Sequence, residues 1–163
     1  MIPNKYTEKV NIYFVFKLLS IIIISEAIVG LLFYQFDIDL TSASSNWPIP
    51  LKLFAIIIFA PLFETLIFQY LIYKWLNQLI RNPNFRYNNE AYIIASSIAF
   101  SLQHYQSVWY MAYTLIPGVV LAYCFLHFHK LYGDFSTPFW FTAAVHALLN
   151  SFVFIIDLFL NYL

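Results

Sequence analysis

The chain has 163 residues, 62% hydrophobic and 10% charged, with no net charge. Soluble domains carry about 25% charged and 45–50% apolar residues, so this composition is that of a membrane protein. Zero net charge argues against a nucleic-acid partner, and the three glycines and seven prolines are too few for a fibrous or disordered chain. Cys124, the single cysteine, excludes an intramolecular disulfide and a Cys-based zinc cluster and reads as a packing residue.

Met1 to Lys9 is polar, and Val10 to Phe36 is the first predicted span, interrupted by Lys17 and Glu26. It exceeds a signal-peptide core of about 7–15 residues, and Ser42-Ala43-Ser44 lies well past it, so the reading is a retained helix. Lys17 is placed to snorkel to the headgroups. Glu26 lies deeper, as a second intramembrane site or a carboxyl kept neutral by burial. Asp37 to Pro50 is a Ser-rich acidic loop in which Trp47 suits the interfacial belt. Leu51 to Leu76 is the second span, with a kink expected at Pro61. Asn77 to Glu90 is a polar loop with Arg81, Arg86 and an Asn-Pro-Asn turn.

Ala91 to about His104 is a short third span, rich in small residues, with His104 at its far end or in a re-entrant turn. Ser107 to Phe128 is the fourth span, kinked at Pro117-Gly118, and His127 to Ser136 a loop. His127, His129 and Lys130 read as a solvated helix end. Thr137-Pro138 opens the last span, which ends near Leu163. The expected fold is all-α: one polytopic membrane helical bundle over 1–163, with about five transmembrane helices and proline kinks. With the N-terminus cytoplasmic, Lys5, Lys9, Lys74, Arg81, Arg86 and Lys130 fall inside. Lys52 falls outside beside Asp37 and Asp39, so the bias places the C-terminus outside.

Glu64 sits inside the apolar run from Leu53 to Tyr73. A charged side chain at mid-bilayer costs about 2.5–3.5 kcal/mol on insertion scales, so it marks a functional site by default. His146 and Asn150 are spaced i, i+4 on one helix face, beside Ala143, Ala144 and Ala147; Phe100 and His104 share that spacing. Two chemistries fit. In one, Glu64 and His104 polarise a water while His146 and Asn150 donate to an oxyanion. In the other, Glu64, His104 and His146 ligate a divalent metal such as zinc. Against both, a lone His in a membrane helix is often an interhelical hydrogen-bonding group, and a lone Glu can serve a proton relay.

The pattern resembles the CPBP family, which holds type II CAAX prenyl endopeptidases and Abi-type bacteriocin-processing or immunity membrane proteins. Its EExxxR motif after Ala-Pro reads here Ala60-Pro61-Leu62-Phe63-Glu64-Thr65-Leu66-Ile67-Phe68-Gln69. Its FxxxH reads Phe100-Ser101-Leu102-Gln103-His104, its HxxxN reads His146-Ala147-Leu148-Leu149-Asn150, and Gly133 to Pro138 resembles the lead-in to the last. The resemblance covers about Leu51 to Phe154, a core of 51–154. It implies an intramembrane endopeptidase acting on a membrane-associated peptide or protein (a prenylated protein, a bacteriocin or a signal peptide), with no cofactor; the Ile-, Asn- and Phe-rich composition fits an AT-rich bacterium, and so a bacterial plasma membrane. Glu64 and His104 would then activate water, and His146 and Asn150 would stabilise the oxyanion.

Two positions depart: the second glutamate is Thr65 and the arginine Gln69. Thr65 and Gln69 are i, i+4 and read as a neutral, hydrogen-bonding replacement for a substrate-orienting pair, with Glu64 facing away from Gln69. These departures also admit a non-catalytic immunity or scaffold protein. Glu26 with Glu64 admits a small transporter or proton-relay subunit.

Overall fold

In a computed structural model, residues 5–35, 47–79 and 88–162 are described. The Ser42-Ala43-Ser44 stretch, Asp37, Asp39, Arg81, Arg86 and the Asn-Pro-Asn turn lie outside the described residues, as do the side chains of Lys5 and Lys9. The described chain forms five helices and no strand: α1 (Lys5–Gln35), α2 (Ile49–Leu79), α3 (Asn88–Leu102), α4 (Val108–Tyr132) and α5 (Ser136–Tyr162). Each is an apolar run whose only way to satisfy backbone polar groups in lipid is internal hydrogen bonding. Four of them, α1, α2, α4 and α5, contain stretches long and apolar enough to cross a membrane. The chain is an integral membrane protein with a helical bundle fold.

The third expected span is shorter than the rest. α3 has 15 residues, about 22 Å at 1.5 Å per residue, against about 30 Å of hydrocarbon. It ends at Leu102, and His104 lies in the turn that follows, its N–H bonded to the Ser101 carbonyl at 3.0 Å.

α4 is the centre of the bundle and packs on α1, α3 and α5. Its buried Leu121, Cys124 and Phe128 form one core cluster with Leu18 of α1, Phe100 of α3 and Val145 of α5. Cys124 is fully buried, the packing role its sequence setting implies. Gly118 allows a close α3–α4 approach: a Cβ there would stand 3.1 Å from Phe100 Cδ1 and 3.2 Å from both Cα and O of Ser97. Pro117 is tolerated within α4, which continues unbroken to Tyr132.

That continuation corrects the loop expected from His127. His127, His129 and Lys130 sit in the last turns of α4. The two imidazoles pack among aromatic rings instead of standing in solvent: His127 stacks on Phe14 at 3.6 Å, and His129 lies 4.6 Å from Tyr73 and 4.8 Å from Phe135. The helix stops at Gly133, whose φ of 73° is open to glycine at little cost and whose N–H caps the His129 carbonyl at 2.9 Å. The next helix, α5, begins at Ser136, one residue before the Thr137 of the expected Thr137-Pro138 start, and Asp134 caps it. Asp134 accepts from the Thr137 N–H at 2.7 Å and from its hydroxyl at 2.8 Å. Those bonds hold the Asp134 carboxyl below its usual range.

The second span carries a feature the sequence reading did not include. α2 contains two π-helical segments, Phe54–Phe59 and Thr65–Leu71, on either side of Ala60–Glu64, the stretch that holds Pro61. Ala60 bonds back to the Ala55 carbonyl, and Pro61 has no N–H. The Ile56 carbonyl therefore loses both of its in-helix donors. Asn150 Nδ2 donates to it at 2.8 Å. At the second segment, Ser96 and Tyr92, one turn apart on α3, donate to the Phe68 and Gln69 carbonyls at 2.8 and 3.3 Å. Neighbouring side chains thus satisfy the carbonyls that the wider winding loosens, as lipid surroundings require.

Candidate active site

Glu64 is the last residue before the second π segment, where α2 faces α5. Its Oε2 lies 3.6 Å from His146 Nε2, with the two side chains 15% and 4% exposed. A carboxylate facing Nε2 selects the tautomer protonated there. Gln103, the residue before His104, places its side-chain amide within hydrogen-bonding reach of Glu64. Gln103 occupies a variable position of FxxxH, and its polarity beside His104 is the only sequence signal that could have marked it.

His104 Nδ1 lies 2.9 Å from the Phe100 carbonyl. Donating there, it leaves Nε2 as an unprotonated acceptor. Burial pushes the His104 imidazole below its usual pKa, opposed by the bond to Phe100. Phe100 spaces the two histidines: its ring centroid lies 5.0 Å from that of His104 and 5.6 Å from that of His146. His104 is also within electrostatic reach of His146. Tyr110 sets the edge of its ring against His104 at 5.4 Å.

The structure therefore brings Glu64 and His146 together, sets the Gln103–His104 turn beside Glu64, and anchors Asn150 four residues beyond His146 on the Ile56 carbonyl. Asn150 keeps a second amide N–H beyond the one it donates to Ile56. Among the described residues no three His, Cys, Asp or Glu side chains form a group able to hold a metal.

Thr65 and Gln69 are fully buried, but the hydrogen-bonded pairing expected of them is not formed. Thr65 Oγ1 and both amide atoms of Gln69 have no partner among the described residues. Both residues belong to the π segment Thr65–Leu71.

Glu26 of α1 is buried at 8% exposure and stands within hydrogen-bonding reach of Tyr113. Tyr110, beside it, stands within electrostatic reach of both Glu26 and Glu64.

No curated protein and no solved structure matches the chain. The sequence model for the family described as "Type II CAAX prenyl endopeptidase Rce1-like" matches residues 45–152, the stretch that carries Glu64, His104, His146 and Asn150. This span covers well over half of the chain, and the protein belongs to the type II CAAX prenyl endopeptidase Rce1-like family.

Proposed function

We propose that the protein is an intramembrane endopeptidase that hydrolyses a peptide bond of a membrane-associated substrate: a prenylated protein, a bacteriocin or a signal peptide. The observation that carries this reading is the Glu64 carboxylate facing His146 at 3.6 Å, with the Gln103–His104 turn beside it. Glu64 takes a proton from a water whose other hydrogen is held by the unprotonated His104 Nε2. The water oxygen attacks the carbonyl carbon. The oxyanion receives the His146 Nε2–H and the second amide N–H of Asn150. As the C–N bond breaks, Glu64 returns its proton to the leaving nitrogen, giving an acid and an amine. The reaction needs no cofactor in this scheme, because the acid-base work rests on Glu64 and His104. The buried Thr65 and Gln69 line the side of α2 that orients the substrate.

The enzyme lies in the bacterial plasma membrane with its N-terminus cytoplasmic and its C-terminus outside, on the charge bias of its loops. The test is cleavage of a quenched fluorogenic peptide with a farnesylated C-terminal CAAX sequence by the purified protein in micelles. Cleavage by the wild type and its loss in Glu64→Gln support the reading. Equal rates in both sink it. A second reading, a non-catalytic immunity or scaffold protein, is favoured by Thr65 and Gln69 standing where the motif has charged residues. It predicts protection against a bacteriocin that survives Glu64→Gln.

A further inference from the structure

Glu26 lies on α1, outside the residues that the family match covers. A carboxylate that deep in a span is retained only where it has a partner or a task. Its neighbour is the Tyr113 hydroxyl on α4, which stands within hydrogen-bonding reach of it. One turn earlier on α4, Tyr110 stacks on Tyr113, with ring centroids 6.2 Å apart and planes at 17°. Tyr110 then sets its edge on His104, at 5.4 Å and 69°. Contact is continuous from Glu26 through two tyrosine rings to the imidazole that sits in a turn rather than on a helix. A turn residue has no helical register to fix its side chain. The described contacts that hold the His104 ring are the Phe100 carbonyl, the Phe100 ring and the Tyr110 ring.

We infer that Glu26 is a positioning residue: by anchoring the Tyr113 hydroxyl it fixes the Tyr113–Tyr110 stack, and that stack holds the His104 imidazole with Nε2 free. A tyrosine hydroxyl in a low-dielectric interior needs an acceptor. Without Glu26, Tyr113 turns to seek another, the stack opens, and His104 loses one of its three restraints. The inference rests on the proposed role of His104, but the orientation of that ring is observable without turnover.

The experiment uses the full chain in micelles with isotope-labelled histidine. The chain has four histidines, and the His104 resonance is assigned by its loss in His104→Gln. Tyr113→Phe, which removes a single oxygen and keeps the ring, and Glu26→Leu are each expected to shift and broaden that resonance. The double variant adds little to either, because both cut the same contact. Glu26→Gln keeps an acceptor for Tyr113 and restores the wild-type signal. Unchanged His127 and His129 resonances certify the fold. On the farnesylated peptide, kcat falls by about 10- to 100-fold in Tyr113→Phe and Glu26→Leu with KM unchanged, the scale of a misplaced group. An unmoved His104 resonance in both variants overturns the inference, as does Glu26→Gln behaving like Glu26→Leu. If the resonance moves as stated while even the wild type fails to cleave the peptide, the positioning role stands and the protease reading falls.

Discussion

Asn150 donates its side-chain amide to the Ile56 carbonyl at 2.8 Å, across 94 positions of sequence. The bond exists because Pro61 and the π winding before it strip Ile56 of its own donors. The last motif residue thus serves two ends: it ties α5 to α2 and places the His146 turn opposite Glu64.

Asn150→Ala is therefore expected to lower stability as well as activity. Leaving the Ile56 carbonyl unpaired costs about 1–3 kcal/mol. Unfolding of the purified protein in micelles measures this, and an unchanged midpoint would show that another donor reaches Ile56.

Glu64→Gln is isosteric and keeps an acceptor for Gln103, so it removes the base while sparing the packing. The expected loss in kcat is about 10²–10⁴-fold, the worth of one positioned acid-base group, with KM little changed. A rise in KM alone would assign Glu64 to binding.

His104 shapes part of the pH profile. Its neutral form is the active one, and burial lowers its pKa, so protonation of His104 cuts kcat/KM only below the usual value of about 6.5, and an acid limb at or above that value belongs to Glu64, the base that must be ionised. The unfolded chain binds this proton at higher pH than the folded chain does. Stability contributed by neutral His104 is therefore full above the unfolded value and declines as pH drops toward the folded one. Removing His104 by substitution should flatten that part of the unfolding-versus-pH curve, and an acid limb above 6.5 would assign the limb to another group.

Gly118→Ala puts a methyl group 3.2 Å from Ser97 backbone atoms, which cannot rotate away, and 3.1 Å from Phe100. Overpacking of this kind costs about 1–3 kcal/mol. Because Phe100 touches both His104 and His146, activity should fall further than the loss of folded protein explains. Activity per folded molecule equal to the wild type would uncouple Phe100 from the two imidazoles.

Cleavage of the farnesylated peptide is expected to persist in excess EDTA, with Glu64 and His104 supplying the acid-base chemistry. Loss of activity that returns with zinc would transfer the mechanism to a metal.

The helices and the four residues of the candidate site were legible in the sequence because long apolar runs and polar interruptions are properties of composition and spacing. What lay beyond reach was hydrogen-bond topology. Pro61 announces a disturbance, but whether the chain bends or widens depends on what neighbours can donate to the freed carbonyls, here Asn150, Ser96 and Tyr92. His127 and His129 looked solvated because they are polar and near a span's end; their rings instead fill gaps among Phe14, Tyr73 and Phe135. Gln103 carried no signal of its own beyond its place before His104.

The shortness of α3 has a consequence for the surrounding lipid. A rod of about 22 Å falls about 8 Å short of the hydrocarbon thickness, and acyl chains meet such a mismatch by thinning. The turn after α3 also carries Tyr105 at 79% exposure, with Val108 and Trp109 beside it at 71% and 54%. A bundle with one short helix couples to bilayer thickness in this way, and here the short helix is the one that leads into His104.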